Sequence, residues 1–395
     1  MRVLLAILKA EVARGGAERY TRDLAAALLR RGVAVATAAT AFDADWPGDR
    51  CPIDAAALTR VGAYSRYLQR LDRLISEQPF DVVHAMLPVL RCDVYHPHAG
   101  IAAETKRWGP MEHFNRRRRA MLLIERDLIL GDDPPITLSL SNYVLRRLRS
   151  IYPGAPSEVV LNGTDLTRFD PDAPELAGAR GRLRRELGLA EDDFVVLSIA
   201  QDFERKGIPA AVKAVAMLRD GVRAGGAQPA TRHGAAEAST PRGRRPVKLV
   251  IVGRDDRKPL QNLAEGLSAG SAVHFVGPVD DPRGWYLAAD LFLLPTYHDP
   301  CSLVVIEALA MGLPVISTVF NGSCEYMTDG VHGRVLPDVE PRAIARAIAE
   351  YAGDDERLAA GRAACRALRP RLSADRHVDR VLAVYEKARL ERVGR

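Results

Sequence analysis

The sequence predicts an α/β protein made of two doubly wound parallel-sheet domains. Short apolar runs of strand length alternate with helical patterns in the first half of the 395-residue chain, and this alternation is typical of parallel sheets with crossover helices. A second alternating series begins at Phe194, after a stretch that contains Pro171 and Pro174. The length is about twice that of a typical domain, which agrees with one domain for each series.

The first series opens with residues 3–8, an apolar run of strand length, and a helical pattern follows over 17–31. Gly32 is positioned to end that helix, and Ser141 is suited to cap a helix that continues through Arg149. The other strands of this half are predicted at 33–37, 81–84, 136–140 and 159–161.

The second series predicts strands at 194–200, 247–252, 273–275, 291–294 and 314–318, and helices at 208–218, 303–311 and 341–351, with two more after Asp355. We therefore assign residues 1–170 to a first domain, 171–190 to a linker and 191–373 to a second domain. Residues 221–246 break the alternation because they are rich in Gly, Ala, Pro, Ser and Thr and have no apolar periodicity. We expect them to form a disordered insertion.

Composition excludes several classes of protein. A hydrophobic share of 47% and a charged share of 27% are ordinary for a globular chain, and no apolar run approaches the roughly 20 residues of a membrane-spanning helix. The five cysteines are scattered and form no C-x-x-C pair, which favours reduced thiols over a disulfide framework. The first apolar run stops at Lys9, so a buried strand fits it better than a signal peptide.

The net charge of +6 is concentrated in two segments. Residues 106–126 and 221–248 each carry a net charge of +5, and the rest of the chain sums to −4. The second segment has no aromatic residue to stack on a base, so we expect no nucleic-acid partner. The first segment has basic residues beside the apolar residues 121–124. It suits an anionic membrane surface, or a helix that packs its apolar side inward and leaves a solvated basic face.

The most informative stretch, 299–314, reads DPCSLVVIEALAMGLP. Ser302 is placed to cap the helix that starts at Leu303, and a helix N-terminus after a strand and a loop is a place where an anion can rest. Asp299 and Glu307 could then accept hydrogen bonds from hydroxyl groups on both sides of a phosphate. This arrangement suits a nucleotide sugar, whereas the alternative is two solvated acids on a loop and a helix.

Two more motifs follow predicted strands. The segment 202–207 reads DFERKG, and its adjacent Arg205 and Lys206 could neutralise a pyrophosphate without a metal ion; the alternative is a solvated charged turn. Gly15 and Gly16 lie between the first strand and the first helix, where glycine allows a ligand to approach the backbone. They do not form the G-x-G-x-x-G fingerprint of dinucleotide binding.

Together these motifs resemble those of the retaining GT-B glycosyltransferases of family 4. The resemblance rests on the acid-x7-Glu pattern of 299–307 and on four short motifs in the family's order, namely GGAE at 15–18, NGTD at 162–165, RKG at 205–207 and NGSCE at 321–325. Within the family, DVY at 93–95 and SIAQDFERKG at 198–207 resemble lipopolysaccharide core glucosyltransferases. The resemblance spans nearly the whole chain and implies two Rossmann-like domains that face a cleft, with residues 374–395 as a helix that returns to the first domain.

The resemblance also implies roles for individual residues on the donor side. Glu307 would hold the ribose hydroxyls, and Asp299 would contact the hydroxyls of the donor sugar. Arg205 and Lys206 would bind the diphosphate and stabilise it as the leaving group. Two departures concern the donor sugar: Asp299 replaces the family's glutamate and is one methylene shorter, and Ser302 stands where a glycine is common.

Further residues are implied around the same donor. Ser302 and the backbone of Leu303 and Val304 would touch phosphate, and Gly15 and Gly16 would line the donor cleft from the first domain. His98 would lie near the reacting sugar; the alternative is a histidine without a role. His96 and His98 have no acidic or cysteine residue at ligand spacing, so no metal site is expected, and no cofactor either.

These inferences predict a retaining hexosyltransferase of cell-envelope polysaccharide or lipopolysaccharide synthesis. The donor would be a nucleotide sugar, with UDP-glucose favoured and GDP-mannose possible, and the acceptor a glycan or a lipid-linked glycan. The resemblance favours membrane docking through 106–126, and therefore a cytoplasmic protein that is peripheral on the inner face of the cytoplasmic membrane. The alternatives are another GT-B enzyme, such as a nucleotide-sugar epimerase or a phosphorylase, and a non-catalytic protein that binds nucleotide sugars.

Overall fold

The computed structural model describes residues 1–98, 100–103, 116–219 and 245–393. It divides the chain into two compact units, one made of Met1–Gly163 with Ser373–Arg395 and the other of Thr164–Leu372. The insertion predicted at 221–246 lies outside the described residues except at its last two positions, and so does the part of the basic segment from 106 to 115.

The first unit is built on a seven-stranded parallel sheet. Its strands are β1 (Arg2–Ala6), β2 (Ala34–Ala39), β3 (Asp49–Pro52), β4 (Val82–Ala85), β5 (Val94–Tyr95), β6 (Ile136–Ser139) and β7 (Ser157–Val159), in the order β3-β2-β1-β4-β5-β6-β7. The central strands are almost entirely buried, which is why they appear in the sequence as continuous apolar runs rather than as alternating patterns.

Between residues 1 and 163, the described part of this unit has four α-helices: α1 (Gly16–Arg30), α2 (Arg60–Glu77), α3 (Arg116–Leu130) and α4 (Asn142–Ile151). The Ser141 side chain accepts a hydrogen bond from the Val144 amide of α4 at 3.2 Å, as the sequence predicts for an N-cap. Gly32, with φ of +74°, follows α1 in the left-handed conformation that ends many helices.

The second unit has a six-stranded parallel sheet. Its strands are β8 (Phe194–Ile199), β9 (Val247–Val252), β10 (Val273–Gly277), β11 (Leu291–Leu294), β12 (Val315–Thr318) and β13 (Gly333–Leu336), in the order β10-β9-β8-β11-β12-β13. Its helices are α5 (Ala179–Glu186), α6 (Ile208–Arg219), α7 (Lys258–Gly266), α8 (Arg283–Ala288), α9 (Leu303–Ala310), α10 (Pro341–Ala352) and α11 (Asp355–Leu368).

Both sheets have the strand order of a doubly wound fold, so the predicted fold class is confirmed for each unit. The order reverses between β1 and β4 in the first unit and between β8 and β11 in the second. Open α/β sheets bind ligands at such a switch point, outside the carboxyl ends of the strands. A ligand site in the second unit is therefore expected at the loops that follow β8 and β11.

The predicted linker at 171–190 is instead part of the second unit, which begins at Thr164. Its helix α5 packs against α8, and the buried side chain of Arg184 donates hydrogen bonds to the Ala190 and Asp193 carbonyls at 2.9 and 2.6 Å. Arg180 forms a 2.8 Å ion pair with the buried carboxylate of Asp290. Polar bonds to distant residues hold this helix, so the sequence shows little apolar pattern there.

The carboxy-terminal helix α12 (Ala374–Val393) belongs to the first unit. Val378, Val381, Val384 and Tyr385 contribute buried side chains to the core that also contains Val3 of β1 and Leu24 of α1. No helix in the described part of the chain is long and apolar enough to cross a membrane.

Candidate functional site

An ion pair joins the two loops at the switch point of the second sheet. Lys206, in the loop after β8, places its Nζ 2.5 Å from Oδ2 of Asp299, in the loop after β11. Both side chains are mostly buried, with 16% and 11% of their surfaces exposed. Limited contact with water weakens the screening of their attraction, so the pair holds the two loops together.

Backbone hydrogen bonds hold Asp299 beside the segment that follows β12. Its amide donates to the Phe320 carbonyl and its carbonyl accepts from the Gly322 amide, both at 2.9 Å. These bonds make a parallel bridge between Asp299 and Asn321. The Asn321 side chain in turn accepts from the Ser323 amide at 3.1 Å and donates to the Ser317 hydroxyl at 3.1 Å. Through these hydrogen bonds, the NGSCE motif stabilises the loop that carries Asp299.

Gly207 allows the two loops to approach one another. It has φ of +70°, and a Cβ at this position would lie 2.1 Å from the carbonyl oxygen of Pro295. A side chain would push the loops apart, so the glycine of the RKG motif has a steric reason within this unit. The Tyr297 amide and the Thr296 hydroxyl also donate to the Arg205 carbonyl, at 3.0 and 3.2 Å.

Arg205 is more exposed than Lys206 and pairs with a different acid. Its Nε lies 3.0 Å from Oδ2 of Asp202, and 41% of its side-chain surface is exposed. Asp202 is one of the two residues other than glycine with positive φ among those described, at +61°, and its Oδ1 accepts from the Arg205 amide at 3.2 Å. Asp202, which the sequence prediction did not select, shapes the turn and holds the guanidinium.

Helix α9 begins beside this pair and carries the other predicted residues. Ser302 occupies the N-cap position, but its side chain makes no capping hydrogen bond, so the predicted capping role of the hydroxyl is wrong. Its carbonyl accepts from the Ser323 hydroxyl at 2.8 Å. The first turn, with Leu303 and Val304, therefore presents amides that Ser302 does not cap, at the positive end of the helix.

Glu307 lies farther along α9 and is 4% exposed. The Tyr286 hydroxyl, on α8, donates to its Oε2 at 2.8 Å and also lies 3.2 Å from the Val304 carbonyl oxygen. The sequence does not identify Tyr286, because it and Glu307 lie on different helices and sequence spacing does not indicate a contact between helices. Tyr286 fixes the carboxylate at the end of the predicted donor motif.

In the first unit, the predicted glycines lie between β1 and α1. Gly15 is at the N-cap of α1, and Gly16 is the first helical residue. A Cβ on Gly16 would meet no atom of the described residues within 4 Å, so packing among these residues does not require a glycine there. This open space is consistent with the predicted approach of a ligand to the backbone, which remains a prediction.

His98 belongs to an aromatic cluster after β5. Its ring centroid lies 3.9 Å from that of Tyr20 and 4.2 Å from that of His96. His84 stacks on His96 at 5.2 Å, and His377 of α12 is hydrogen-bonded to the Tyr20 hydroxyl at 2.8 Å. Burial lowers the pKa of each of these four histidines, so the imidazoles are neutral at pH 7. Among the described residues, no group of His, Cys, Asp and Glu could hold a metal ion.

The chain after His98 is anchored by a buried carboxylate on α3. Glu125 accepts hydrogen bonds from the Ala102 and Ala103 amides at 2.7 and 3.0 Å and from the Tyr95 hydroxyl at 2.6 Å. Burial raises the pKa of Glu125. Glu125 shows in the sequence only as a charged residue, yet it connects β5, the loop at 101–103 and α3.

Two family models match the chain. The model of the group 1 glycosyl transferases matches residues 179–364, and that of Glycosyltransferase Family 4 matches residues 14–168. The first match lies within the second unit, the other lies almost wholly within the first, and together they span most of the chain.

The chain therefore carries these two glycosyltransferase domains.

Curated relatives of this glycosyltransferase have different acceptors in their names. This chain is 24% identical to lipopolysaccharide glucosyltransferase WaaG of Escherichia coli, over 82% of each protein. It is 31% identical to the D-inositol 3-phosphate glycosyltransferase of Thermomonospora curvata, over 62% of this chain and 55% of that protein. The family and these names confirm the prediction of an enzyme of the hexosyltransferase type.

Solved structures agree with the predicted GT-B fold of the glycosyltransferase. A crystal structure of WaaG, described as involved in lipopolysaccharide biosynthesis, has a TM-score of 0.79 at 21% identity and covers 96% of this chain and 98% of its own. The structure of HepE from Anabaena with UDP and glucose has a TM-score of 0.72 at 18% identity and covers 98% of this chain and 100% of its own. Identities this low establish the fold alone.

Proposed function

We propose that this glycosyltransferase moves glucose, with retention, from UDP-glucose to a glycan or lipid-linked acceptor of the lipopolysaccharide type. The observation that carries the proposal is the placement of Lys206, Asp299 and the N-terminus of α9 together at one switch point. A cation, a carboxylate and the positive end of a helix match a ligand with a diphosphate beside sugar hydroxyls. The name of the Escherichia coli relative and the UDP and glucose in the Anabaena structure support the choice of donor and acceptor class.

Each group has a proposed task in the transfer. Lys206 and Arg205 bind the diphosphate and stabilise the charge that grows on it as the bond to the sugar breaks. Asp299 accepts hydrogen bonds from the sugar hydroxyls, and Glu307 accepts them from the ribose hydroxyls. The acceptor hydroxyl attacks the anomeric carbon from the face that the diphosphate leaves and passes its proton to the departing diphosphate, so UDP is released and the anomeric configuration is retained. No metal or cofactor is assigned a task.

The donor is tested by incubating the enzyme with UDP-glucose, UDP-galactose, UDP-N-acetylglucosamine and GDP-mannose. The assay measures nucleotide release with and without a deacylated lipopolysaccharide core acceptor, and proton NMR reads the anomeric configuration of the product. Acceptor-dependent release from UDP-glucose with an α-linked product is expected. Interconversion of UDP-sugars without acceptor would identify an epimerase, absorption by a pyridoxal group would indicate a phosphorylase, and binding without turnover would leave a non-catalytic protein.

A second proposal concerns location: the enzyme docks on an anionic membrane through one face of α3. Arg116, Arg119, Leu123, Arg126 and Leu130 are all exposed, and their spacing of three and four residues places them on one face of the helix. Leu123 and Leu130 are 49% and 63% exposed. Arginines beside exposed leucines suit a surface with anionic headgroups.

A further inference from the structure

We propose that Tyr286 is a positioning residue that orients Glu307 toward the nucleotide ribose, so that it controls recognition of the ribose diol without touching the ligand. This inference rests on the proposed role of Glu307. It adds a residue on a different helix, α8, whose contribution no sequence motif indicates.

The hydrogen bond between the two side chains is short and buried. The Tyr286 hydroxyl lies 2.8 Å from Oε2 of Glu307, and the residues are 1% and 4% exposed. The hydroxyl has a single proton, and the Val304 carbonyl at 3.2 Å is a further acceptor beside the carboxylate. The charged and nearer acceptor makes the stronger bond, so the proton is directed mainly at Glu307.

The ring of Tyr286 contacts two other aromatic rings. Its centroid lies 6.3 Å from that of Phe169 in an edge-on arrangement and 5.8 Å from that of Phe292 of β11. Aromatic contacts of this kind restrict the ring orientation. A fixed ring fixes the hydroxyl, and the hydroxyl in turn limits rotation of the Glu307 carboxylate about its last side-chain bond.

Orientation matters because a carboxylate that receives two vicinal hydroxyls must face both of them at once. A carboxylate held on one oxygen is pre-organised for that bidentate contact, whereas a freely rotating one must be ordered when the ligand binds. Removal of the Tyr286 hydroxyl should therefore weaken binding of nucleotides that have a ribose diol and leave those without it unaffected.

The test compares UDP with 2′,3′-dideoxy-UDP by calorimetry on the wild type and Tyr286→Phe. The wild type should bind UDP more tightly, and the substitution should raise the Kd for UDP about tenfold while leaving that for the dideoxy nucleotide within about twofold. In steady-state kinetics, KM for UDP-glucose should rise with little change in kcat, since ground-state binding is what weakens.

Controls separate this role from packing and from the proposed function itself. Phe292→Leu loosens one contact of the ring but keeps the hydroxyl, so it should raise the Kd for UDP by less than Tyr286→Phe does and leave that for the dideoxy nucleotide unchanged; a packing defect alone would change the two Kd values by the same factor. In a Glu307→Gln background, Tyr286→Phe should no longer alter the ratio of the Kd values. If the wild type binds both nucleotides equally, the ribose role of Glu307 in the proposed function is wrong. If it discriminates and Tyr286→Phe discriminates equally well, the role of Tyr286 is overturned.

Discussion

Lys206 and Asp299 are 93 positions apart in the chain, yet their charged groups lie 2.5 Å apart at the carboxyl ends of β8 and β11. The contact exists because β8 pairs with β11 directly, as the first and fourth strands of the doubly wound order. The Asp299 carboxylate holds the Lys206 ammonium group at the place where, in the proposed function, it would contact the diphosphate. The pair therefore links the fold topology to the proposed chemistry.

Replacing Lys206 by Met should reduce kcat by about 100-fold and raise the Kd for UDP by less than that. The reason is that negative charge on the leaving diphosphate increases in the transition state, so the ammonium group matters most there. Stopped nucleotide-release assays measure kcat, and calorimetry measures the Kd for UDP. Lys213→Met, on an exposed position of α6, is the matched control and should leave both unchanged. Equal losses in kcat and binding for Lys206→Met would contradict a transition-state role.

Replacing Asp299 by Glu restores the residue type that the family resemblance expects. The added methylene moves the carboxylate toward the sugar, while the bridge to Asn321 keeps the backbone in place. We expect the ratio of kcat/KM values for UDP-glucose and UDP-galactose to change by about tenfold, and the Tm to stay within about 2 °C. Asp299→Asn is the comparison, and it should lower activity with both donors because Lys206 loses its anionic partner. An unchanged donor ratio in Asp299→Glu would show that this side chain does not read the sugar.

The sequence predicted the sheet strands well where burial on both faces makes them continuous apolar runs, as in β1 and β8. It missed β3, whose residues are mostly exposed, and α5, whose arginines are held by Asp290 and by backbone carbonyls. Pairing with distant residues stabilises these elements, and periodicity carries no information about distant partners.

The candidate site was predicted only in part for the same reason. Lys206, Asp299 and Glu307 belong to motifs that can be recognised in the sequence, whereas Tyr286 and Glu125 act through contacts that depend on how helices pack. The hydroxyl of Ser302 was expected to cap α9, but only the backbone conformation of an N-cap is present. A residue type suited to a cap does not determine where its side chain points.

Replacing Arg116, Arg119 and Arg126 by Gln should release the enzyme from anionic vesicles. Each basic residue near such a surface contributes about 1 kcal/mol, so the bound fraction at limiting lipid should fall at least about tenfold. Co-sedimentation with vesicles of phosphatidylglycerol and phosphatidylethanolamine measures the bound fraction. Arg66, Arg70 and Arg73, on exposed positions of α2, supply a control triple substitution with the same change in charge. An equal loss in both variants would mean that net charge, and not this face of α3, governs binding.

The buried histidines should make the first unit less stable in acid. Burial lowers the pKa of His377 to about 4 and that of His84 to about 3, whereas an unfolded histidine titrates near 6.5. As the pH falls from about 6.5 toward 4, the unfolded chain binds protons that the folded chain does not, so each histidine destabilises the fold by up to about 1.4 kcal/mol per pH unit. His377 contacts the Tyr20 hydroxyl and donates from Nδ1 to the Leu161 carbonyl at 2.7 Å, and the nearby charge of Arg380 lowers its pKa further.

His377→Asn isolates the contribution of one of these histidines, because the amide can still donate to the Leu161 carbonyl but does not titrate. The free energy of unfolding in urea, measured at pH 7.5 and pH 5.0, should fall by about 2 kcal/mol less in the variant than in the wild type. Carboxyl groups that titrate in the same range affect both proteins equally, so the difference reports on His377 alone. Equal decreases in the two proteins would mean that His377 accepts a proton in the folded state, and that its burial does not keep it neutral.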